Sequence, residues 1–307
     1  MRHARTILVG LATLATVVAL EAAPAVAAPP SHRTSIGSYV AIGDSYTAGL
    51  GIPTWEYDGG CYRSHNNYPS MLATQLDVAE VHDVSCSGAT PADTVEAQYA
   101  GVPPQFDALS ADTDLVTVGL GANQGNLFRW LVLGCSSLRS MDPTGQPCED
   151  TATSSGSDVF YNLADGAGQA VGTVLDGIRQ RSPHAQLVVV GYPRLAPARG
   201  TCAALPLAAG DYAYVNDVLE RLDLDIRRAA AAAGADYIDM WGISRGHDIC
   251  SDDPWIQGSV NANGQASPYH PFVAEQAVVA GLIADVVQGS GAASAGPAIA
   301  HARLGGL

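Results

Sequence analysis

The sequence predicts an α/β fold, a three-layer α/β/α sandwich around a mostly parallel five-stranded sheet. Two features predict it. Five short stretches read as strands, at 39–42, 81–85, 115–121, 186–192 and 236–240, and most of the intervals between them carry apolar residues at helical spacing. The run at 115–121 (LVTVGLG) is continuously apolar and β-branched, as a strand buried on both faces must be, and that is the condition of a parallel sheet covered by helices. At 307 residues, 47% of them hydrophobic, the chain is long enough for one α/β core and short for two domains.

The chain begins with Arg2 and Arg5, an apolar run at 7–20 and a small-x-small site, Ala25-Val26-Ala27. That pattern predicts a secretory signal over residues 1–27 and an extracellular protein, and the run is too short for a stable membrane anchor. The first strand then breaks at Gly43-Asp44-Ser45 within YVAIGDSYTAGLG. Residues 53–67 are rich in Gly, Asp, Asn and aromatics and read as a loop. A helix over 68–76 leads to the second strand, which ends at Cys86-Ser87-Gly88. The third strand ends at Ala122-Asn123-Gln124. Residues 138–157 are polar and contain Pro143, Gly145 and Pro147, so they read as an excursion; helices follow over 159–181 and 212–233, around the fourth strand. Beyond the fifth strand stands Ser267-Pro268-Tyr269-His270-Pro271, then a helix over 273–287 and a Gly/Ala-rich tail from 289 to 307. The folded domain is expected over residues 36–288.

All fifteen basic residues are arginine, against thirty acidic residues, for a formal charge of −15. This balance argues against nucleic acid and against electrostatic docking on anionic lipid as partners. An exported monomer is expected. In an exported chain the six cysteines Cys61, Cys86, Cys135, Cys148, Cys202 and Cys250 read as disulfides, although six allow fifteen pairings. No C-x-x-C spacing is present, and neither a metal nor another cofactor is expected.

A serine at a strand end sits where open α/β sheets bind ligands, so Ser45 is placed to act as a nucleophile. By itself the same turn also suits a helix cap. GDS at the first strand, with Gly88 in CSGAT, Asn123 in GLGANQ and His270 in SPYHP, resembles the GDSL or SGNH family of serine esterases. The runs GGCYRSHNNYPS and GHDICSDDPW are similar to its secreted, Streptomyces-type lipases. The resemblance implies the SGNH, flavodoxin-like form of the sandwich, and activity on fatty-acyl esters. It implies Ser45 as nucleophile and His270 as general base and acid. The oxyanion hole would comprise the N–H groups of Ser45 and Gly88 and the amide of Asn123. It also implies sequential disulfides, Cys61–Cys86, Cys135–Cys148 and Cys202–Cys250, each worth roughly 2–4 kcal/mol.

Two positions depart from the family pattern. Gln124 replaces an aspartate after Asn123, and Ser267 replaces the aspartate three residues before the histidine. A main-chain carbonyl at Ser267 is expected to orient His270 instead, with Asp248, Asp252 and Asp253 as substitutes; His247 is expected to be structural. A carbohydrate acetyl-esterase, an acyltransferase and a non-catalytic binding protein are the alternatives on the same fold.

Overall fold

The computed structural model describes Met1, residues 35–261 and residues 264–289. The expected signal segment after Met1 and the tail from residue 290 lie outside the described residues, as do residues 262 and 263.

Five strands form one sheet: β1 (Ser38–Gly43), β2 (Glu80–Asp83), β3 (Leu115–Gly119), β4 (Gln186–Val190) and β5 (Asp236–Ile238). Their order is β2-β1-β3-β4-β5, and every neighbouring pair is parallel. The helices, in chain order, are α1 (Ser45–Ala48), α2 (Tyr68–Leu76), α3 (Leu127–Arg129), α4 (Cys135–Leu138), α5 (Pro147–Thr153), α6 (Val159–Arg181), α7 (Asp211–Ala232), α8 (Met240–Ile243) and α9 (Val273–Val287).

Side chains alternate across a strand, so each strand feeds two cores. Val40 and Ile42 of β1 pack with Val171, Leu175 and Ile178 of α6 and with Val215, Leu222 and Ile226 of α7. Tyr39 and Ala41 face the opposite way, onto Tyr68 and Leu72 of α2 and Val279 and Ile283 of α9. β4 divides likewise, Leu187 and Val189 against Val188 and Val190. The result is the three-layer sandwich, with α6 and α7 on one face and α2 and α9 on the other.

From β1 the chain steps outward to β2, whereas from β3 it proceeds the other way to β4 and β5. The strand order therefore reverses between β1 and β3, and the crevice beyond their carboxyl ends is the switch point of the sheet. Asp44 N–H donates to the Gly119 carbonyl at 3.0 Å, joining the two strand ends. A Cβ on Gly43 would lie 2.1 Å from Thr47 Oγ1, and one on Gly119 2.5 Å from the same atom. The two glycines thus let α1 sit directly on the ends of both strands.

The polar stretch at 138–157 contains a helix, α5, where the sequence suggested only an excursion. Its N-terminal N–H groups at Cys148 and Glu149 are capped by the buried carboxylate of Asp211 at 3.1–3.2 Å. That cap comes from another helix, so no local signal announced it. Disulfides join Cys61 to Cys86, Cys135 to Cys148 and Cys202 to Cys250. The first ties the loop after α1 to the loop after β2, where Ser87 N–H also donates to the Cys61 carbonyl at 3.1 Å.

Overpacking at the seat of α1 gives a direct test. Gly43→Ala should lower the unfolding free energy by about 1–3 kcal/mol in urea titration. Gly281→Ala, in α9 with nothing within 4 Å of the added Cβ, should leave stability unchanged or slightly raised.

Candidate active site

Ser45 is the first residue of α1 and is buried at the floor of the crevice. Asp44 caps this short helix by accepting from Tyr46 N–H at 2.9 Å. Behind it, the Gln105 amide clamps Gly43 from both sides, accepting from its N–H at 2.9 Å and donating to its carbonyl at 3.0 Å. The serine hydroxyl is thus carried on a turn whose backbone is hydrogen-bonded to β3 and to a distant side chain.

His270 Nε2 stands 2.9 Å from Ser45 Oγ, across 225 residues of chain. Its other nitrogen, Nδ1, lies 2.8 Å from the carbonyl oxygen of Pro268. A carbonyl only accepts, so Nδ1 carries the hydrogen and Nε2 presents a lone pair to the serine hydroxyl. The carbonyl was expected at Ser267, and the structure corrects this. Ser267 O accepts the backbone N–H of His270 at 3.1 Å, closing a turn in which Tyr269 takes a left-handed φ of 64°. The imidazole then folds back over the turn and meets the carbonyl two residues upstream. Asp248, Asp252 and Asp253 do not reach it. Asp248 accepts from Cys250 N–H, while Asp253 lies beside His247, which stacks on Trp255 with ring centroids 4.0 Å apart.

The histidine segment is fastened independently of the serine. Tyr269 N–H donates to Gln257 O at 3.0 Å, Gln257 N–H to His270 O at 2.9 Å, and the Tyr46 hydroxyl to Tyr269 O at 2.7 Å. The rings of Tyr46 and Phe128 flank the imidazole at 5.5 and 5.9 Å between centroids. Desolvation there pushes the His270 pKa down from 6.5 to about 4, and the Pro268 hydrogen bond opposes that only in part.

Gly88 follows β2 with a φ of 83°, a conformation that glycine adopts without strain. Among the described residues, no acceptor is bonded to the N–H of Ser45 or of Gly88. Asn123 follows β3. One of its two amide hydrogens is used on the Ala89 carbonyl at 3.1 Å, which fixes the side chain beside Gly88 and leaves the second for another acceptor. The Gln124 side chain makes no hydrogen bond among the described residues; Gly125 and Asn126 turn the chain there with φ of 59° and 61°.

Tyr192, at the end of the fourth apolar run, escaped sequence reasoning. Its hydroxyl donates to Asp44 Oδ2 at 2.6 Å and accepts from Ala122 N–H at 3.1 Å, linking the Ser45 turn to the Asn123 loop. Burial raises the Asp44 pKa to about 6, and the hydrogen bonds from Tyr192 and Tyr46 limit the rise. A tyrosine ending a strand gave the only hint, and it read equally well as core.

Ser45, Gly88, Asn123 and His270 all open into one cleft of about 660 Å³, whose apolar wall includes Leu50, Phe128, Val132 and Leu133. Among the described residues, no three His, Cys, Asp or Glu side chains converge as a metal site would require.

At the switch point of a parallel sheet, a hydroxyl, an imidazole and N–H donors unbonded among the described residues converge, an arrangement suited to acyl transfer, and the relatives below make the chain a carboxylic ester hydrolase. The chain belongs to the GDSL-like lipase/acylhydrolase family, whose sequence model matches residues 41–274. Lipase 2 of Streptomyces coelicolor is 38% identical over 252 residues, spanning 80% of this chain and 83% of that protein. Among solved structures, phospholipase A1 of Streptomyces albidoflavus superposes with a TM-score of 0.63 at 29% identity, over 83% of this chain and 99% of that one. The extracellular lipase of Streptomyces rimosus gives 0.64 at 27% identity, over 78% and 94%.

Tyr192→Phe should unlatch the two loops without removing a ring from the core. It strips a buried carboxylate and a buried N–H of one partner each, so the unfolding free energy should fall by about 1–3 kcal/mol in denaturant titration, with a lower kcat on a soluble ester.

Proposed function

We propose that the protein is a secreted hydrolase of fatty-acyl esters that works through a Ser45–His270 dyad. The observation that carries this reading is the 2.9 Å contact between Ser45 Oγ and His270 Nε2, with the imidazole tautomer set by the Pro268 carbonyl. Ser45 Oγ attacks the ester carbonyl carbon while its proton passes to Nε2. The resulting oxyanion is held by the N–H groups of Ser45 and Gly88 and the free amide hydrogen of Asn123. As the intermediate collapses, the alcohol leaves with the proton from Nε2. Water then attacks the acyl-enzyme by the same proton path, releasing the acid and restoring Ser45. Pro268 O supplies orientation and a dipole where a carboxylate would supply charge, so the imidazolium is stabilised less than in a full triad.

The apolar wall of Leu50, Phe128, Val132 and Leu133 supports a fatty-acyl chain over an acetyl group. The charged start and apolar run of the sequence support export, as does the similarity to the extracellular lipase of Streptomyces rimosus. Among the described residues no helix is long and apolar enough to cross a membrane.

A fluorophosphonate probe should label Ser45 covalently, and Ser45→Ala should abolish both labelling and ester hydrolysis. On nitrophenyl esters of two to sixteen carbons, kcat/KM should rise beyond the acetyl ester. Absence of labelling and turnover in the wild type would sink the catalytic reading, and a maximum at acetate would sink the fatty-acyl one.

The pH profile tests the base. With its folded pKa pushed down to about 4, the imidazole is neutral and able to accept a proton above that pH, and this capacity is lost as pH falls through it. The acid limb of kcat/KM should therefore lie near pH 4, well below the 6.5 of an ordinary histidine.

A further inference from the structure

Helix α9 is apolar along most of its length, yet Glu275 and Gln276 are both buried in its first turns. The Gln276 amide is used at both ends. Its oxygen accepts from the N–H of Tyr68, the first residue of α2, at 2.8 Å, and its nitrogen donates to the Tyr46 carbonyl at 3.0 Å and to Glu275 Oε2 at 2.7 Å. A carbonyl only accepts and an N–H only donates, so the amide has one orientation. Burial pushes the Glu275 pKa up to about 8, with the Gln276 bond opposing in part, so the pair brings little charge into the helix layer at neutral pH.

Tyr46 is the residue after the nucleophile. While Gln276 holds its carbonyl, its hydroxyl donates to Tyr269 O at 2.7 Å and its ring packs 5.5 Å from the imidazole. A closed circuit results. Ser45 leads to Tyr46 by the peptide bond, Tyr46 to Gln276 by the hydrogen bond, Gln276 back to His270 along the start of α9, and His270 Nε2 to Ser45 Oγ at 2.9 Å. The bond to Tyr68 anchors that circuit to α2. Removing the amide would leave the Tyr46 carbonyl and the Tyr68 N–H without these partners and free α1 to shift, and a misplacement of about 1 Å at a reacting group costs about a hundred-fold in rate.

We propose that Gln276 is a positioning residue for ester cleavage: it holds the Tyr46 carbonyl, and through it Ser45, at the distance from His270 that proton transfer requires. The proposal rests on the Ser45–His270 reading above. Gln276 does not line the cleft, so its effect falls on the chemical step and not on binding.

Gln276→Met keeps the length of the side chain and removes the amide. On a short, soluble nitrophenyl ester its kcat should fall about ten-fold or more with KM within about two-fold of wild type, and fluorophosphonate labelling of Ser45 should slow in parallel. Gln276→Glu keeps the shape but can donate to the Tyr46 carbonyl only while protonated. The ratio of its kcat to that of wild type should therefore be highest near about pH 5 and fall as pH rises through the pKa of the introduced carboxyl, with circular dichroism showing the fold retained at each pH. A folded Gln276→Met with wild-type kcat overturns the proposal, as does a loss confined to KM, a Gln276→Glu ratio that is flat with pH, or a fall that only follows unfolding. If Gln276→Met does not fold, the Gln276→Glu profile decides alone. Labelling of wild type with both variants unimpaired strikes this proposal alone, whereas absent labelling of wild type strikes the catalytic reading.

Discussion

The site depends on one neutral hydrogen bond, from His270 Nδ1 to the carbonyl of Pro268. It fixes which imidazole nitrogen holds the proton and turns the other toward Ser45 Oγ. Because the acceptor is main chain, its position is set by everything that holds the 267–271 turn. The Ser267 N–H donates to Leu50 O at 3.0 Å, a Cβ on Gly51 would lie 2.4 Å from the Ser267 nitrogen, and the segments around Gln257 and Tyr46 complete the frame. A carboxylate side chain would have supplied charge with its own rotamer freedom; the carbonyl supplies direction through a rigid turn.

The same economy recurs on the serine side. Ser45 owes its position to glycines that admit Thr47, to the Gln105 clamp and to the Asp44–Tyr192–Ala122 chain of hydrogen bonds. The Thr47 seat and the Tyr192 bridge join strand ends to one another, and Gln105 ties the end of β1 to the segment ahead of β3, so the Ser45 turn, the Asn123 loop and the sheet are held together. The Cys61–Cys86 disulfide adds the Gly88 loop to it. Among the described residues, the N–H groups of Ser45 and Gly88 are left unbonded and the Asn123 amide half-used, at residues that line a cleft with an apolar wall.

Much of this was legible in the sequence. The apolar runs of β1, β3 and β4 alternating with helical periods revealed the layers, because burial on both faces forces a central strand to be apolar throughout, whereas the edge strands β2 and β5 are more polar. The order Ser45, Gly88, Asn123, His270 was legible because each residue stands in a recognisable short motif. The cap of α5 by Asp211 and the Tyr192 bridge were not, since each joins residues tens of positions apart whose local sequence reads as loop or core. The carbonyl at Pro268 was missed by one residue. The left-handed turn at Tyr269 that selects it follows from contacts with Leu50, Tyr46 and Gln257 rather than from local preference.

By itself, then, the sequence determined the periodicities, the strand ends and the residue types at them, all properties of stretches a few residues long. Tertiary structure alone decided which carbonyl met the imidazole and, among the described residues, which donors remained free. Those outcomes depend on distances between atoms far apart in the chain, and hydrogen-bond direction and burial are settled only when the layers pack.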